Sequence, residues 1–97
     1  MARVSVTYWR DIPVLVSGRE GADEATVPLS QRFQDLVDSV AMQDGLSDSE
    51  AYLAQWRAGP DEERPGPAAA AAHTVAAELE ERFGDIRLRT LRSAGSS

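Results

Sequence analysis

The hydrophobic residues of this chain change their spacing near residue 29, and that change limits the possible folds more than any other feature. In residues 3–9 apolar and polar side chains alternate, a period of two that is typical of a half-buried β-strand. In residues 29–83 apolar side chains recur every three or four positions in several segments, as along one face of an α-helix. Strands followed by helices predict an α+β fold in which helices cover a sheet.

Two extended segments are predicted before the helices begin. Pro13 interrupts the first strand pattern, and the β-branched run at residues 14–16 indicates a hairpin or a kinked pair of strands. Residues 17–25 contain the glycines and charges of a loop. Residues 26–29 form a short extended lead into the first helix.

Capping residues delimit the first helix and indicate the start of a second. Ser30 is a favourable N-cap, and we expect the first helix to end at Asp44 with Gly45 in the left-handed C-cap position. Ser47 followed three positions later by Glu50 is a capping-box pattern, which predicts that a second, short helix begins there.

The second half of the chain has two more helical signals separated by a loop. Tyr52 and Trp56 share the apolar side of the short second helix, where we assign both to the core. Residues 58–67 contain three prolines and two glycines, which predicts an exposed loop. A third helix begins in the alanine run at Ala68 and ends near Gly84, a suitable C-cap.

The end of the chain is predicted to return to the sheet. Residues 86–91 alternate in polarity and indicate a last strand, followed by a flexible tail at residues 93–97. The order β-β-α-α-α-β then gives one domain, residues 1–97, with a three-stranded sheet and two to three helices packed on one face. The outward row of that sheet would contain Arg3, Ser5, Thr7, Arg87 and Arg89.

Composition narrows the classes of function. All ten basic residues are arginine, and 16 acidic residues give a net charge of -6, which disfavours nonspecific binding to nucleic acid or anionic membranes. The sequence has no cysteine, no signal-peptide pattern and no apolar stretch long enough to span a bilayer. We therefore expect a cytoplasmic protein that does not contact a membrane.

No set of residues predicts catalysis, metal binding or a cofactor. His73 is the single histidine, and without cysteine it cannot form the usual zinc ligand set, so we interpret it as a solvent-facing helical residue. The carboxylates of Glu78, Glu80 and Glu81 are interpreted as solvated charge, because nothing apolar surrounds them in the sequence. The helical serines are better explained as caps and surface than as nucleophiles.

Two groups of residues are candidates for an interaction surface. Trp9 and Arg10 lie at the end of a strand, where they fit either a recognition surface or a core tryptophan beside an Arg10–Asp11 turn pair. Arg3, Arg87 and Arg89 would line the open face of the sheet, either as a binding row for an anionic group or as a plain solvated face.

Three segments resemble a small bacterial family. They are Val-Thr-Tyr-Trp-Arg-Asp-Ile-Pro at residues 6–13, Arg-Phe at residues 32–33, and Ala-Tyr-Leu-Ala-Gln-Trp-Arg at residues 51–57. The chain is similar, over nearly all of its length, to the domain labelled "virulence factor", a segment of which also occurs in conserved virulence factor C proteins. In those larger proteins the segment accompanies helical repeats and a scaffold-like domain. The resemblance implies an interaction role and assigns no catalytic residues.

The leading hypothesis is therefore a small interaction or accessory module without its own catalytic centre, which binds a protein partner or a second copy of itself. The alternative is an accessory protein that holds an anionic small molecule in folate-linked one-carbon metabolism, a setting that the resemblance also implies for stand-alone members. The arginines would hold the anionic group in that case.

Overall fold

The computed structural model describes residues 1–45 and 50–95 of the chain. Within them the elements are β1 (Ala2–Trp9), β2 (Ile12–Glu20), β3 (Asp23–Pro28), α1 (Gln31–Gln43), α2 (Glu50–Ala54), β4 (Trp56–Ala58), β5 (Glu62–Arg64), α3 (Ala68–Glu81) and α4 (Phe83–Gly95). The fold is α+β, as expected, but its antiparallel sheet has five strands and four helices accompany it. The capping serine predicted at position 47 and the end of the predicted tail at residues 96–97 lie outside the described residues.

The first three strands form an antiparallel meander. Val6 pairs with Val16 and Val16 with Val27, which gives the order β3-β2-β1. The prediction of a loop at residues 17–25 is wrong. β2 continues to Glu20, and only a two-residue turn that begins at Gly21 separates it from β3. Its charged residues lie at the solvent-exposed end of this hairpin, where Arg19 forms a cross-strand ion pair with Glu24.

One edge of the sheet is formed by two short strands that both pair with β1. β4 pairs with residues 7–9 and β5 with residues 2–4, and Pro60 lies between them. Proline cannot donate a hydrogen bond to a ladder, so an interruption of an edge strand is where it is tolerated. The segment predicted as the exposed loop 58–67 therefore contains β5, and Trp56 belongs to β4 instead of the second helix.

The predicted last strand is a helix. The buried and partly buried residues of this segment are Phe83, Ile86, Thr90 and Leu91. In chain order they are three, four and one residues apart, which matches one face of a helix. Leu88, which lies off that face, is 56% exposed. The alternation at residues 86–91 is therefore not a strand pattern here, because only part of its apolar set is buried. α4 continues through residues 93–95, where the sequence predicted a flexible tail.

The core lies where α3 packs against the sheet. Ala71, Ala72 and Val75 of α3 belong to the same buried cluster as Val4 and Val16 of the sheet. Gly18 of β2 allows the closest approach, because a Cβ atom at this position would lie 2.5 Å from the carbonyl oxygen of Ala68 and 3.2 Å from the Cβ of Ala72. None of the helices in the described residues is long and apolar enough to cross a bilayer.

The N-terminus of α1 is fixed to the C-terminal end of α3. Ser30 donates from its backbone N–H and its hydroxyl to the Glu80 carboxylate, each at 2.7 Å, and Arg32 donates to the same carboxylate and to the Glu80 carbonyl. The Phe33 and Phe83 rings meet edge to face with centroids 4.9 Å apart. Ser30 and Asp44 flank α1 as predicted, and these contacts hold the junction between α3 and α4 in place.

We predict that Gly18→Ala destabilises the protein by about 1–3 kcal/mol, because the added methyl group requires α3 to move away from the sheet. Urea unfolding followed by circular dichroism measures this loss. Gly84→Ala is the matched control, because a Cβ atom there meets nothing within 4 Å. Since Gly84 lies in α4, we expect no loss and a gain of up to about 1 kcal/mol. Equal stability of the two variants would contradict the proposed packing.

We also predict an acid-sensitive contribution from Glu80. Burial raises the pKa of this carboxyl, but the hydrogen bonds from Ser30 and Arg32 lower it by a larger amount. The net pKa therefore lies below its ordinary value of 4.5. The stability that ionised Glu80 adds to the folded state is fully present above about pH 4.5. It is lost as the pH falls through the lower pKa that this carboxyl has in the folded protein.

Glu80→Gln should therefore lose less stability than the wild type as the pH is lowered from 5 towards 3, as measured by urea unfolding at a series of pH values. Glu81→Gln removes the same charge one residue away, at an exposed position without an ion pair among the described residues. This control should retain the wild-type pH dependence. Parallel curves for all three proteins would exclude the proposed role of Glu80.

Candidate functional site

Trp9 is a core residue. Its side chain is 0% exposed, its indole N–H donates to the Tyr52 carbonyl at 3.0 Å, and its ring lies 5.5 Å from that of Tyr52. Tyr52 and Trp56 pack against the same core with their rings edge to face. Of the two interpretations that the sequence left open for Trp9, the structure has core packing, so the ring offers no surface to a partner.

Arg10 connects the hairpin turn to two other elements. Its backbone is left-handed, with φ of 53°, and its N–H donates to the Gln55 carbonyl at 3.0 Å. Its guanidinium forms an ion pair with Asp44 at the end of α1 and lies 5.0 Å from the centroid of the Trp9 ring. The expected ion pair between Arg10 and Asp11 in the turn is not formed. Asp11 Oδ1 instead lies 3.5 Å from Arg57 Nη2.

The arginine row predicted on the sheet does not form, because residues 86–91 are helical. Arg3 lies on β1 opposite Arg19 of β2, whereas Arg87 and Arg89 are exposed on α4. Beside Arg3, the open face of the sheet is polar, with Ser5 opposite Ser17. The three arginines of the prediction therefore belong to two separate surfaces.

A different cleft brings arginines together, between the β1–β2 turn and the junction of α3 with α4. It has a volume of about 190 Å³, and we call it the arginine cleft. Its apolar lining residues are Pro13, Leu79 and Ile86, and its polar lining residues are Tyr8, Asp11, Arg82, Arg89 and Thr90.

The two guanidiniums of the arginine cleft differ from those of five other arginines because they form no ion pair within the described part of the chain. Ion pairs with carboxylates are formed by Arg10, Arg19, Arg32, Arg57 and Arg64. Among the residues that the structure describes, Arg82 and Arg89 form none. Two unpaired positive charges thus face one cleft in a chain whose net charge is -6.

Two of the polar residues that line the arginine cleft contribute hydroxyl groups. Tyr8 and Thr90 both line the arginine cleft, and neither hydroxyl has a hydrogen-bond partner in the described part of the chain. Thr90 is only 8% exposed. Its hydroxyl oxygen is not itself buried, so it can bind a water or a ligand atom in the cleft.

The Tyr8 ring is held between a glycine and an arginine. A Cβ atom on Gly59 would lie 2.8 Å from a carbon of the ring, so only glycine permits this packing. On β4, Arg57 places its guanidinium carbon 4.7 Å from the ring centroid, and it also approaches Asp11 at the edge of the arginine cleft. The cleft therefore has a third arginine nearby, partly balanced by an exposed carboxylate.

Of the carboxylates predicted to be solvated, Glu78 and Glu80 are instead paired, whereas Glu81 is exposed as predicted. Arg64 donates two hydrogen bonds to Glu78, at 2.8 and 2.9 Å, and these lower the pKa of the Glu78 carboxyl although its partial burial raises it. The Nε atom of Arg64 lies 3.0 Å from Glu62, in a geometry that makes an ion pair without a hydrogen bond. These contacts join β5 to α3 and are structural.

His73 is exposed on α3, as predicted. In the described residues, no three histidine, aspartate or glutamate side chains are grouped in a way that would hold a metal ion.

Sequence interpretation missed the arginine cleft because it assigned residues 86–91 to a strand. On a helix, positions 82, 86, 89 and 90 follow the spacing of one face, and all four line the cleft. A helical interpretation of this segment would have separated Arg89 from Arg87 and grouped it with Arg82. The contribution of Tyr8 has no such local signal, because it depends on the packing of β1 beside α3.

The comparisons with known proteins identify a family. A family model described as "Virulence factor" matches residues 7–91, so the chain belongs to the virulence factor family, as the three sequence segments indicated. Searches of curated proteins and of solved structures gave no match.

We predict that Trp9→Phe destabilises the protein by about 2–3 kcal/mol, because it removes a buried hydrogen bond and leaves unfilled volume in the core. Trp56→Phe is the control, since Trp56 is only partly buried and should cost less than about 1.5 kcal/mol. Urea unfolding followed by circular dichroism compares the two. A smaller loss for the Trp9 variant would argue against its role in the core.

Proposed function

We propose that this member of the virulence factor family is a protein-interaction module that binds an anionic group of its partner in the arginine cleft. The observation that carries the proposal is that Arg82 and Arg89 line one cleft with the hydroxyls of Tyr8 and Thr90. Among the described residues, neither guanidinium forms an ion pair and neither hydroxyl has a hydrogen-bond partner. Binding, without a catalytic step, is the role that this set of residues fits.

The electrostatics of the arginine cleft support an anionic ligand. A guanidinium carries its charge at every physiological pH and presents several N–H donors in one plane, which suits carboxylate and phosphate groups. The cleft also has apolar walls, Leu79 and Ile86, that reduce the access of water to a bound anion. Because neither arginine forms an ion pair among the described residues, both charges are available to an anion in the cleft.

The size of the arginine cleft supports a partner that inserts a small part of itself. Pockets for whole drug-sized ligands have volumes of roughly 300–1,000 Å³, and this cleft is smaller, at about 190 Å³. A protein partner can place a single side chain or chain end in such a cleft while the rest of the contact lies on the surrounding surface.

A role in folate-linked one-carbon metabolism stays a prediction. It would use the same guanidiniums to hold a carboxylate of the ligand, with most of that ligand outside the arginine cleft. The protein-partner hypothesis is favoured because the cleft volume is below the range for whole small-molecule ligands.

Two charge reversals on α4 test the proposal. Arg89→Glu places a negative charge in the arginine cleft, and we expect it to weaken binding of the partner by about 1.5–3 kcal/mol, the value of a hydrogen bond to a charged group. Arg87→Glu makes the same change two residues earlier on the same helix, outside the residues that line the cleft. We expect the Arg87 variant to bind as the wild type does.

The measurement is retention of partners by the tagged protein in its native host, with partners identified by mass spectrometry and with both variants purified in parallel. Loss of the same partner from both variants would indicate a general charge effect. Retention of every partner by the Arg89 variant would remove the arginine cleft as the contact surface.

A further inference from the structure

We infer that the arginine cleft binds the C-terminal residue of a partner polypeptide, with the terminal carboxylate at Arg82 and Arg89 and an apolar last side chain on Pro13, Leu79 and Ile86. This inference rests on the proposed function and specifies the ligand of the same site. Its basis is the juxtaposition, within one small cleft, of an apolar floor and a polar wall whose donors have no hydrogen-bond or ion-pair partner among the described side chains.

The polar wall matches a carboxylate in number and type of donors. A carboxylate accepts up to about four hydrogen bonds, and two guanidiniums with two hydroxyls can supply them. The donors are Arg82, Arg89, Tyr8 and Thr90, and none of them has a carboxylate partner among the described residues. Donors that already face the ligand position bind it without first breaking internal contacts.

The apolar floor and the volume select the chain end over an internal acidic residue. The cleft volume of about 190 Å³ is well below the roughly 300–1,000 Å³ of pockets that hold whole drug-sized ligands. That space suits one carboxylate and one short apolar side chain. A terminal leucine-like residue carries both on the same Cα atom, whereas an internal aspartate or glutamate has no apolar group to place on Pro13, Leu79 and Ile86.

Asp11 favours a singly charged ligand. Its side chain is 86% exposed at the edge of the arginine cleft and lies 3.5 Å from Arg57. It repels any anion, and it repels a phosphate dianion more than a carboxylate. An exposed ion pair such as that of Asp11 with Arg57 is weak, and breaking it changes a binding constant by less than about fivefold. A ligand carboxylate can therefore compete with Asp11 for Arg57. Glu78 is close enough to Arg82 for the charge of Arg82 to help lower its pKa. Its negative charge therefore also repels an anion near Arg82.

Peptide titrations followed by two-dimensional NMR test the inference on the full chain. The probes are an acetylated alanine-rich hexapeptide ending in leucine, the same peptide with an amidated C-terminus, the amidated peptide with an internal glutamate, and inorganic phosphate. We expect the free carboxylate to bind with a Kd on the order of 1 mM or tighter, with shifts at Arg89 and Thr90. The other three probes should bind at least about tenfold more weakly, because none of them carries a free carboxylate and an apolar side chain on the same Cα atom.

Three variants sharpen the test. Arg89→Gln should weaken binding of the free-carboxylate peptide about tenfold, while Arg87→Gln, the matched control outside the cleft, should leave it unchanged. Asp11→Asn should tighten it about threefold, the effect of removing one like charge at roughly 6 Å in a water-like dielectric. Spectra of the free variants that match the wild type away from the substitution establish that each is folded.

The outcomes separate this inference from the proposed function. Stronger binding of phosphate or of the internal glutamate, still dependent on Arg89, would overturn the assignment of a chain end and leave an anion-binding cleft. Equal binding of the amidated and free peptides would also overturn it. If none of the four probes shifts Arg89 or Thr90 and Arg89→Glu keeps every partner, both the inference and the proposed function fail.

Discussion

The contact between Gly18 of β2 and the first turn of α3 determines the position of most of the remaining structure. A carbonyl oxygen of the helix lies where a side chain of the strand would otherwise be, so the alanine face of α3 lies directly on the sheet. That contact fixes the course of α3, and the contacts of Glu80 with Ser30 and Arg32 then fix its far end against α1. The junction with α4, and with it the arginine cleft, is located by these two constraints.

The parts of the fold that could be predicted were those in which several local signals agree. The limits of α1 followed from a serine before it, a glycine after it and a regular apolar stripe between, and the structure has Ser30 and Asp44 at its two ends. The β3 strand and α4 lacked such agreement. The sequence around Gly21 has the composition of a loop, yet strand pairing continues almost to the turn, because solvent-facing charges are compatible with the end of an exposed hairpin.

Residues 86–91 show why the candidate site was harder to predict than the fold class. Their alternating polarity fits a strand, but the same residues place Ile86 and Thr90 four positions apart on a helical face. Tertiary contacts decide between these, since Phe83 at the start of α4 meets Phe33 of α1. On a helix Arg87 and Arg89 are separated by about 200° around the axis, so only one of them lines the cleft. Side chains from β1, β2, α3 and α4 form this cleft, and no short segment of sequence carries its pattern.

The interrupted edge of the sheet limits how this protein can associate with others. Pro60 separates two three-residue strands on one side, and on the other side β3 is short, begins with Asp23 and Glu24 and ends at Pro28. An edge with these features is a poor template for backbone pairing with a further chain, whether a peptide strand or a neighbouring molecule. Sheet extension into fibrils is therefore discouraged, and a contact with another chain would depend on side chains more than on backbone pairing.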